Sequence, residues 1–193
     1  MSSIIKVDTI QNQSGANIIS ESSNTITVGA SGDTITVPSG ATISSSGTVS
    51  GNLANTPAFL VTDTTNQGIS NVTMTKVTFA TEVFDTDNCF ASSTFTPTVS
   101  GKYCIYSQIN FDINSSAGQI QVRIYKNGSL YHRVRQAHFY GNNQQTYFVQ
   151  SVVELNGTTD YVEIYTYQDS GISRTMAGAD SMVYFGGYRL IGA

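Results

Sequence analysis

Residues 101–111 have the sequence Gly-Lys-Tyr-Cys-Ile-Tyr-Ser-Gln-Ile-Asn-Phe. In an extended chain, one side of this segment carries the large apolar side chains Tyr103, Ile105, Ile109 and Phe111. Successive side chains of a β-strand point to opposite faces of its sheet, so this period of two predicts a long strand with one face in a core. The opposite face carries the remaining side chains, which are Cys104, Tyr106, Gln108 and Asn110.

The same alternation occurs on both sides of this segment. It predicts further strands at 76–84, 120–125, 147–155, 162–164 and 181–191. The pairs Asn127-Gly128 and Asn156-Gly157 mark tight turns, and Asn-Gly in particular tolerates the positive φ that a type I′ hairpin needs. Short strands separated by turns, with no window that has the spacing of an amphipathic helix, predict an all-β antiparallel jelly-roll sandwich over residues 57–193.

Several of these strands carry large side chains on both faces. One face of an antiparallel sheet normally meets water, so large side chains on the second face indicate a buried interface between subunits. Glycines in the last strand would let two backbones approach closely there. The interface residues predicted on this basis are Tyr106, Gln108, Phe148, Tyr184, Gly187 and Tyr188.

Residues 16–56 repeat a short β-branched unit. Residues 25–28 are Thr-Ile-Thr-Val, residues 34–37 repeat them, and 42–44 and 48–50 are looser copies separated by turn formers. One unit cannot bury its isoleucine and valine, while ordering its backbone costs about 1–2 kcal/mol per residue. Three identical chains wound about one axis would bury these side chains, which predicts an extended trimeric β-stalk. A disordered linker is the alternative.

Residues 1–15 begin with another short alternating run. Its apolar side chains are Ile4, Ile5, Val7 and Ile10. Because an isolated strand has no stability, we interpret this run as a docking segment that pairs with another protein, or as the first rung of the stalk. It has neither the basic start nor the apolar centre of a secretory signal, so we expect the chain to fold in a cytoplasm.

Composition excludes several classes of protein. Only 11% of the 193 residues are charged and the net charge is −4, which argues against a nucleic-acid-binding surface. No apolar run approaches the length of a membrane span, so no membrane insertion is expected. The two cysteines, Cys89 and Cys104, are compatible with a disulfide or with buried thiols that act as small apolar side chains.

The sequence offers little chemistry for catalysis. His132 and His138 share one predicted strand and lie roughly 20 Å apart along it, too far to bind one metal ion together. The basic residues between them fit an exposed edge strand blunted by charge, or a contact with an anionic glycan. Residues 85–88 could coordinate calcium or form a plain turn. We expect no enzyme activity, no metal and no cofactor.

Fragments of the C-terminal part resemble the globular domain of complement component one q, within the wider tumour-necrosis-factor-like jelly roll. One fragment departs from the family pattern, because its glycine and aspartate are separated here. The fragments that carry the resemblance are Phe95-Thr96-Pro97 with Gly101-Lys102-Tyr103, Lys126-Asn127-Gly128, Leu155-Asn156-Gly157 with Asp160-Tyr161-Val162, and Phe185-Gly186-Gly187-Tyr188-Arg189-Leu190. The resemblance implies a homotrimer of jelly rolls.

In a jelly roll of this kind the chain enters and leaves at one end, the base. The tight turns should then lie at the base, and three longer connections, 114–118, 140–144 and 168–180, at the opposite end, the apex. Loops on a rigid sandwich commonly carry recognition, although a polar, solvated end is the alternative. The candidate ligand-binding residues of the apex are Asn114, Ser115, Tyr140, Asn142, Asn143, Asp169 and Arg174.

The first 50 residues resemble the N-terminal parts of fibre proteins from tailed phages, especially those of aquatic bacteria. The segments that carry this resemblance are Ile5-Lys6-Val7-Asp8-Thr9-Ile10-Gln11-Asn12 and Thr34-Ile35-Thr36-Val37-Pro38-Ser39-Gly40-Ala41-Thr42-Ile43. It implies a virion appendage, assembled in the host cytoplasm, that docks onto other virion proteins by its N-terminus and presents a trimeric tip to a host-surface glycan or protein. A capsid-decorating or connector protein is the alternative, and a polysaccharide-degrading enzyme fits less well.

Overall fold

The computed structural model describes residues 9–15, 17–23, 25–29, 31–44, 46–47, 55–114, 118–138, 142–178 and 182–191. Within these ranges the chain forms strands, turns and irregular segments and has no helix, so none is present that could cross a membrane. The chain divides into two compact units, Met1–Thr48 and Val49–Ala193. The boundary expected from the sequence, between residues 56 and 57, lies eight residues further along the chain.

The N-terminal unit contains a three-stranded antiparallel sheet. Its strands are β1 (Thr9–Gln11), β2 (Asn17–Ser22) and β3 (Thr25–Val28), paired in the order β1-β2-β3. The first repeat unit is therefore a strand, as expected. Residues 34–37 and 42–44, which were expected to be strands as well, are in no strand. No segment of the same chain pairs with them, and an unpaired strand is not stable.

The apolar side chains of the N-terminal unit are not buried by the chain itself. Ile26 is 70% exposed and Ile43 is 76% exposed. Of the predicted docking residues, Ile10 is in β1 with an exposed side chain, whereas Ile4, Ile5 and Val7 lie outside the described residues. The remaining exposed apolar residues of this unit are Ile18, Ile19, Val28, Ile35 and Val37.

The C-terminal unit is a sandwich of two antiparallel sheets. The strands of its first sheet are β4 (Ala58–Thr62), β5 (Gln67–Ile69), β7 (Thr81–Asp85), β10 (Gly101–Asn114), β13 (Asn142–Leu155), β15 (Arg174–Met176) and β16 (Tyr184–Arg189). Those of its second sheet are β6 (Thr75–Lys76), β8 (Phe90–Ala91), β9 (Thr94–Phe95), β11 (Gly118–Lys126), β12 (Ser129–His138) and β14 (Val162–Gln168).

The long strand β10 organises the first sheet. Along one side it pairs with β13 over its whole length, from Gly101 opposite Leu155 to Asn114 opposite Asn142. On its other side β16 and then β15 follow one another, and β4 and β7 continue the sheet beyond β16. The second sheet has the order β12-β11-β14-β9-β8, with β6 also paired to β14.

The inner faces of the two sheets form the core that the period of two predicts. The side chains of β10, β11 and β13 that were expected inside are buried, namely Tyr103, Ile105, Ile109, Phe111, Ile120, Val122, Ile124, Tyr147, Val149, Val153 and Leu155. Aromatic rings from both sheets meet there. Phe59 stacks on Phe95 with ring centroids 4.2 Å apart and meets Phe185 edge to face.

The single strand expected at 76–84 is wrong. The chain instead crosses from β6 in the second sheet to β7 in the first. Val77 and Phe79 are buried on the way across, whereas Val83 is exposed on β7. A segment that changes sheets keeps apolar residues at alternate positions, so periodicity alone could not reveal the crossing.

The two ends of the sandwich are placed as expected. At the base, Ala58 pairs with Tyr188, and the turn residues Asn127 and Gly128 both have positive φ, 53° and 74°, as a type I′ turn requires. The turn after β13 lies at the same end, where the Asn156 side-chain oxygen accepts the amide hydrogens of residues 158, 159 and 160. The ends of β10, β11 and β14 near residues 114, 118 and 168 form the apex.

Both cysteines are free and buried, so the disulfide alternative is not realised. Cys89 packs in the core, and burial raises the pKa of its thiol. The Gln150 side-chain amide donates to the Cys104 sulfur at 3.1 Å. Both residues therefore act as small apolar side chains of the sandwich.

Candidate subunit interface and apex loops

Three tyrosines cover the outer face of the first sheet. The Tyr106 ring lies 6.2 Å from the Tyr184 ring and 6.5 Å from the Tyr188 ring. The ring fits because a glycine, Gly186, lies beneath it, and a Cβ there would come within 2.6 Å of Tyr106. We call this surface the tyrosine face, defined by Tyr106, Tyr184 and Tyr188.

The tyrosine face is concave and uncharged. Beside Tyr106 and Tyr184 a concavity of about 480 Å³ is lined by Leu60, Thr62 and Val83. Burial raises the pKa of the Tyr106 phenol, so the ring stays neutral at physiological pH. A neutral, largely apolar hollow on an otherwise complete sheet is a surface that another protein surface can fill.

Gln108 and Gly187 have other roles than the sequence indicated. The Gln108 side-chain amide donates to the Met182 carbonyl at 3.1 Å, and the Tyr184 hydroxyl lies 3.3 Å from its side-chain oxygen. A Cβ at Gly187 would meet Ile105 at 2.7 Å and Phe59 at 3.0 Å, which are core side chains. The assignment of Gly187 to a subunit interface is therefore wrong, and the glycine of the outer face is Gly186.

A second apolar patch lies along the strands β12 and β13. Phe148 is 45% exposed on the outer side of β13, and Val152, Leu130 and Tyr131 are exposed near it or on β12. The Tyr131 hydroxyl donates to the Val152 carbonyl at 2.9 Å and ties the edge of the second sheet to the first. We call these four residues the edge patch. The sequence indicated only Phe148, although Val152 has the same alternation.

The apex residues do not form one continuous loop surface in the described part of the chain. Asn114, Asn142 and Asn143 belong to β10 and β13, with Asn114 opposite Asn142. The loop expected at 140–144 is thus shorter, because cross-strand pairing extends to Asn142. Ser115 and Tyr140 lie outside the described residues.

Asp169 and Arg174 are engaged within the fold. One Asp169 carboxylate oxygen accepts the Gln119 amide hydrogen at 2.7 Å, and the other accepts a hydrogen bond from the Gln119 side chain. Arg174 is only 4% exposed, and its Nε donates to the Ser170 hydroxyl at 2.8 Å. The expectation that Arg174 presents an exposed cation is therefore corrected, because the loop folds over it.

The other candidate groups support structural roles. The strand β12 is an edge strand of the second sheet, as its basic residues predicted, and His132 is exposed on it. The Asp85 carboxylate accepts the Phe90 amide hydrogen at 2.7 Å, which favours a turn at 85–88 over a calcium site. Among the described residues, no group of three or more histidine, cysteine or acidic side chains could hold a metal ion.

The base carries a polar concavity that the sequence did not reveal. It measures about 410 Å³, and its lining residues are Ser100, Gly101, Lys126, Glu154, Leu155, Asn156 and Asp160. Lys126 and Asp160 form an ion pair at 3.0 Å, and Lys126 also donates to the Glu154 carbonyl. Hydrogen bonds from Asn127 and Lys126 lower the pKa of the Asp160 carboxyl. These contacts tie the two turns of the base together.

No family model and no curated protein matches the chain. Three solved structures do. Eiger, a tumour necrosis factor from S. frugiperda, is 12% identical with a TM-score of 0.56 over 72% of this chain and 96% of its own. The globular domain of zebrafish complement 1qA is 18% identical, with a TM-score of 0.50 over 70% and 98%. Murine APRIL is 12% identical, with a TM-score of 0.51 over 69% and 98%.

The sandwich is a jelly roll of the tumour necrosis factor and complement 1q type. The resemblance seen in the sequence of the C-terminal part is thereby confirmed at the level of fold. Identities of 12–18% carry the fold alone. None of these three structures is a phage protein, so they add nothing to the resemblance of the first 50 residues to fibre proteins.

Proposed function

We propose that the chain is a homotrimeric, non-catalytic structural protein whose jelly-roll units bind a molecule on a host surface. The observation that carries the proposal is the tyrosine face, a neutral aromatic hollow on the outer side of a complete sandwich. Monomeric proteins rarely expose contiguous apolar patches of this kind unless they mark an interaction site. The fold type, which the chain has in common with complement 1qA and two tumour-necrosis-factor-like proteins, supports the same assembly.

Two different apolar surfaces on one unit favour a closed ring. The edge patch of one copy would fill the tyrosine face of the next, so each contact joins unlike surfaces. Such heterologous contacts close into a ring when the rotation between neighbours permits it. Three copies are the number that the resemblance to complement one q implies.

The N-terminal unit supports the same assembly independently. Its isoleucines and valines are exposed in a single chain, from Ile10 in β1 to Ile43. Each gains about 1.5–3 kcal/mol only when it is fully buried. Three copies of the unit, with these side chains directed to a common centre, would bury them. We propose that this unit forms the trimeric stalk.

We propose the virion of a tailed phage as the location of the protein, on the resemblance of its first 50 residues to fibre proteins. Its N-terminus, including Ile4, Ile5, Val7 and Ile10, would attach the trimer to other virion proteins. The apex loops around Ser115, Tyr140 and residues 168–174 would face the host. A connector or capsid-decorating protein would have the same trimer without binding cells.

Particle incorporation and cell binding together test this proposal. A chain that lacks residues 1–15 should form a trimeric sandwich but remain absent from purified particles, whereas the full chain is incorporated at the tail. The purified full-length trimer should bind host cells. Location on the capsid with no cell binding would favour the connector, and normal incorporation of the truncated chain would contradict attachment by the N-terminus.

A further inference from the structure

The outer face of the second sheet concentrates basic and aromatic side chains. Across four strands, Arg133 on β12 lies opposite Arg123 on β11, Arg123 opposite Tyr165 on β14, and Tyr165 opposite Lys76 on β6. Directly opposite residues of an antiparallel pair share a face, and neighbouring strands lie about 4.8 Å apart, so these four form one row about 14 Å long.

A second row runs beside the first. Two residues along each strand, Arg135 lies opposite Gln121, and Gln121 lies opposite Tyr167. Tyr125, two residues the other way, stacks on Tyr165 with ring centroids 4.4 Å apart. We call this surface the cationic face, defined by Lys76, Gln121, Arg123, Tyr125, Arg133, Arg135, Tyr165 and Tyr167.

The charges on the cationic face are not balanced by the fold. Like charges directly opposite each other destabilise an antiparallel pair, yet Arg123 and Arg133 occupy such positions. Arg133 and Arg135 are exposed and form no ion pair with any residue that the structure describes. Three arginines therefore lie together in a chain that has only nine lysines and arginines and a net charge of −4.

The acidic side chains next to this surface are already engaged. Glu163 accepts a hydrogen bond from Lys76 at 2.7 Å, so this pair is neutral overall. Both carboxylate oxygens of Asp169 accept hydrogen bonds from Gln119. What remains is an excess positive charge carried by Arg123, Arg133 and Arg135.

The central arginine is held in place before any ligand arrives. Its Nε and one Nη donate to the same Gln121 side-chain oxygen, at 3.1 and 2.6 Å, and the other Nη lies 3.5 Å from the Tyr125 hydroxyl. The guanidinium is thus fixed against the stacked tyrosine pair. A fixed donor loses less conformational entropy on binding than a free one.

We infer that the cationic face binds an acidic polysaccharide, with sugar carboxylates on the arginines and sugar rings on the exposed tyrosines. An arginine guanidinium matches a carboxylate in a bidentate geometry, and an anion between Arg123 and Arg133 relieves their repulsion. A flat row of polar and aromatic side chains suits an extended chain of sugars. The inference rests on the host-binding role proposed above and moves it from the apex loops to the side of the sandwich.

Purified full-length protein and three variants provide the test. Arg133→Gln with Arg135→Gln removes two unpaired cations of the face, and Tyr165→Leu removes one stacked ring. Lys102→Gln is the control, because it removes one exposed cation from β10 in the other sheet. Each variant must keep the wild-type mass and melting temperature, and Tyr165→Phe replaces Tyr165→Leu if the latter does not fold.

Polygalacturonate is the probe, with neutral dextran and a single-stranded oligonucleotide of similar length as comparisons. We expect polygalacturonate to bind at low salt, to weaken tenfold or more in the arginine double variant, and to be unaffected by Lys102→Gln. Dextran and the oligonucleotide should bind at least tenfold more weakly. No binding of polygalacturonate, an equal loss with Lys102→Gln, or equal affinity for the oligonucleotide overturns the inference.

Cell binding separates this inference from the proposed function. If the full chain binds host cells and the arginine double variant binds them equally well, the acidic-polysaccharide inference fails and the host-binding role stands. If the full chain binds no cells, the host-binding role fails, and the polygalacturonate result alone decides whether the face binds acidic sugars. Loss of cell binding in the double variant, with the control unchanged, supports both.

Discussion

At Gly157 two constraints act on one residue. Its φ of 71° is in the left-handed region, and a Cβ would lie 2.3 Å from the Ser100 backbone nitrogen. Gly171, with a φ of 87°, has only the first constraint, because nothing lies within 4 Å of its Cβ position. The two glycines therefore separate backbone strain from close packing.

We predict that Gly157→Ala is much more damaging than Gly171→Ala. Left-handed backbone costs an alanine about 1–2 kcal/mol, which is the whole expected loss at Gly171. At Gly157 the overlap with backbone atoms should add about 2 kcal/mol or more. Urea unfolding at one fixed protein concentration measures both losses. Equal losses would show that the turn does not pack against Ser100.

Asp160 makes the base sensitive to acid. Its folded-state pKa is lowered by hydrogen bonds from Asn127 and Lys126, so it stabilises the fold above its ordinary pKa and loses this effect as pH falls through the lowered value. Asp160→Asn should therefore lower the melting temperature at pH 7. The difference from wild type should shrink as the pH falls below the ordinary aspartate range. A difference that is constant across this range would contradict the assignment.

Buried positions were predictable residue by residue, and roles that depend on direction were not. The alternation in 101–111 and 147–155 identified the core side chains because a strand has only two faces. Gly187 and Arg174 were misplaced for a different reason. A glycine shows no side by itself, and a loop arginine is buried only if the loop folds back over it, which no local pattern encodes.

At the scale of elements, β16 shows how one strand serves two surfaces. Its outer side carries Tyr184, Gly186 and Tyr188, and its inner side carries Phe185 and Gly187 in the core. The long strands and both hairpin turns were predictable from sequence. The crossing at 76–84 and the strand β2 were not, because pairing partners distant in the chain decide them.

We predict that Gly187→Leu damages the fold of the single sandwich. A leucine there would overlap Ile105 and Phe59, and overpacking a core costs about 1–3 kcal/mol. Gly68→Leu on β5 is the matched control, because nothing lies within 4 Å of a Cβ at Gly68. Thermal unfolding measures both. A Gly187→Leu variant as stable as the control would show that this strand is placed wrongly.

At the scale of the whole molecule, association has to supply what one chain lacks. A single copy leaves the tyrosine face, the edge patch and the apolar side chains of the N-terminal unit exposed to water. The sequence predicted this need from the recurrence of isoleucine and valine and from aromatic residues on second faces. It did not indicate the cationic face, because only cross-strand register brings Lys76, Arg123 and Arg133 into one row.

The solution mass of the purified chain tests the trimer most directly. Sedimentation equilibrium or native mass spectrometry at micromolar concentration should give three 20.7-kDa chains, about 62 kDa. Phe148→Asp, which puts a charge in the edge patch, should shift the mass toward that of one chain while the sandwich stays folded. A wild-type protein with the mass of a single chain would contradict the account.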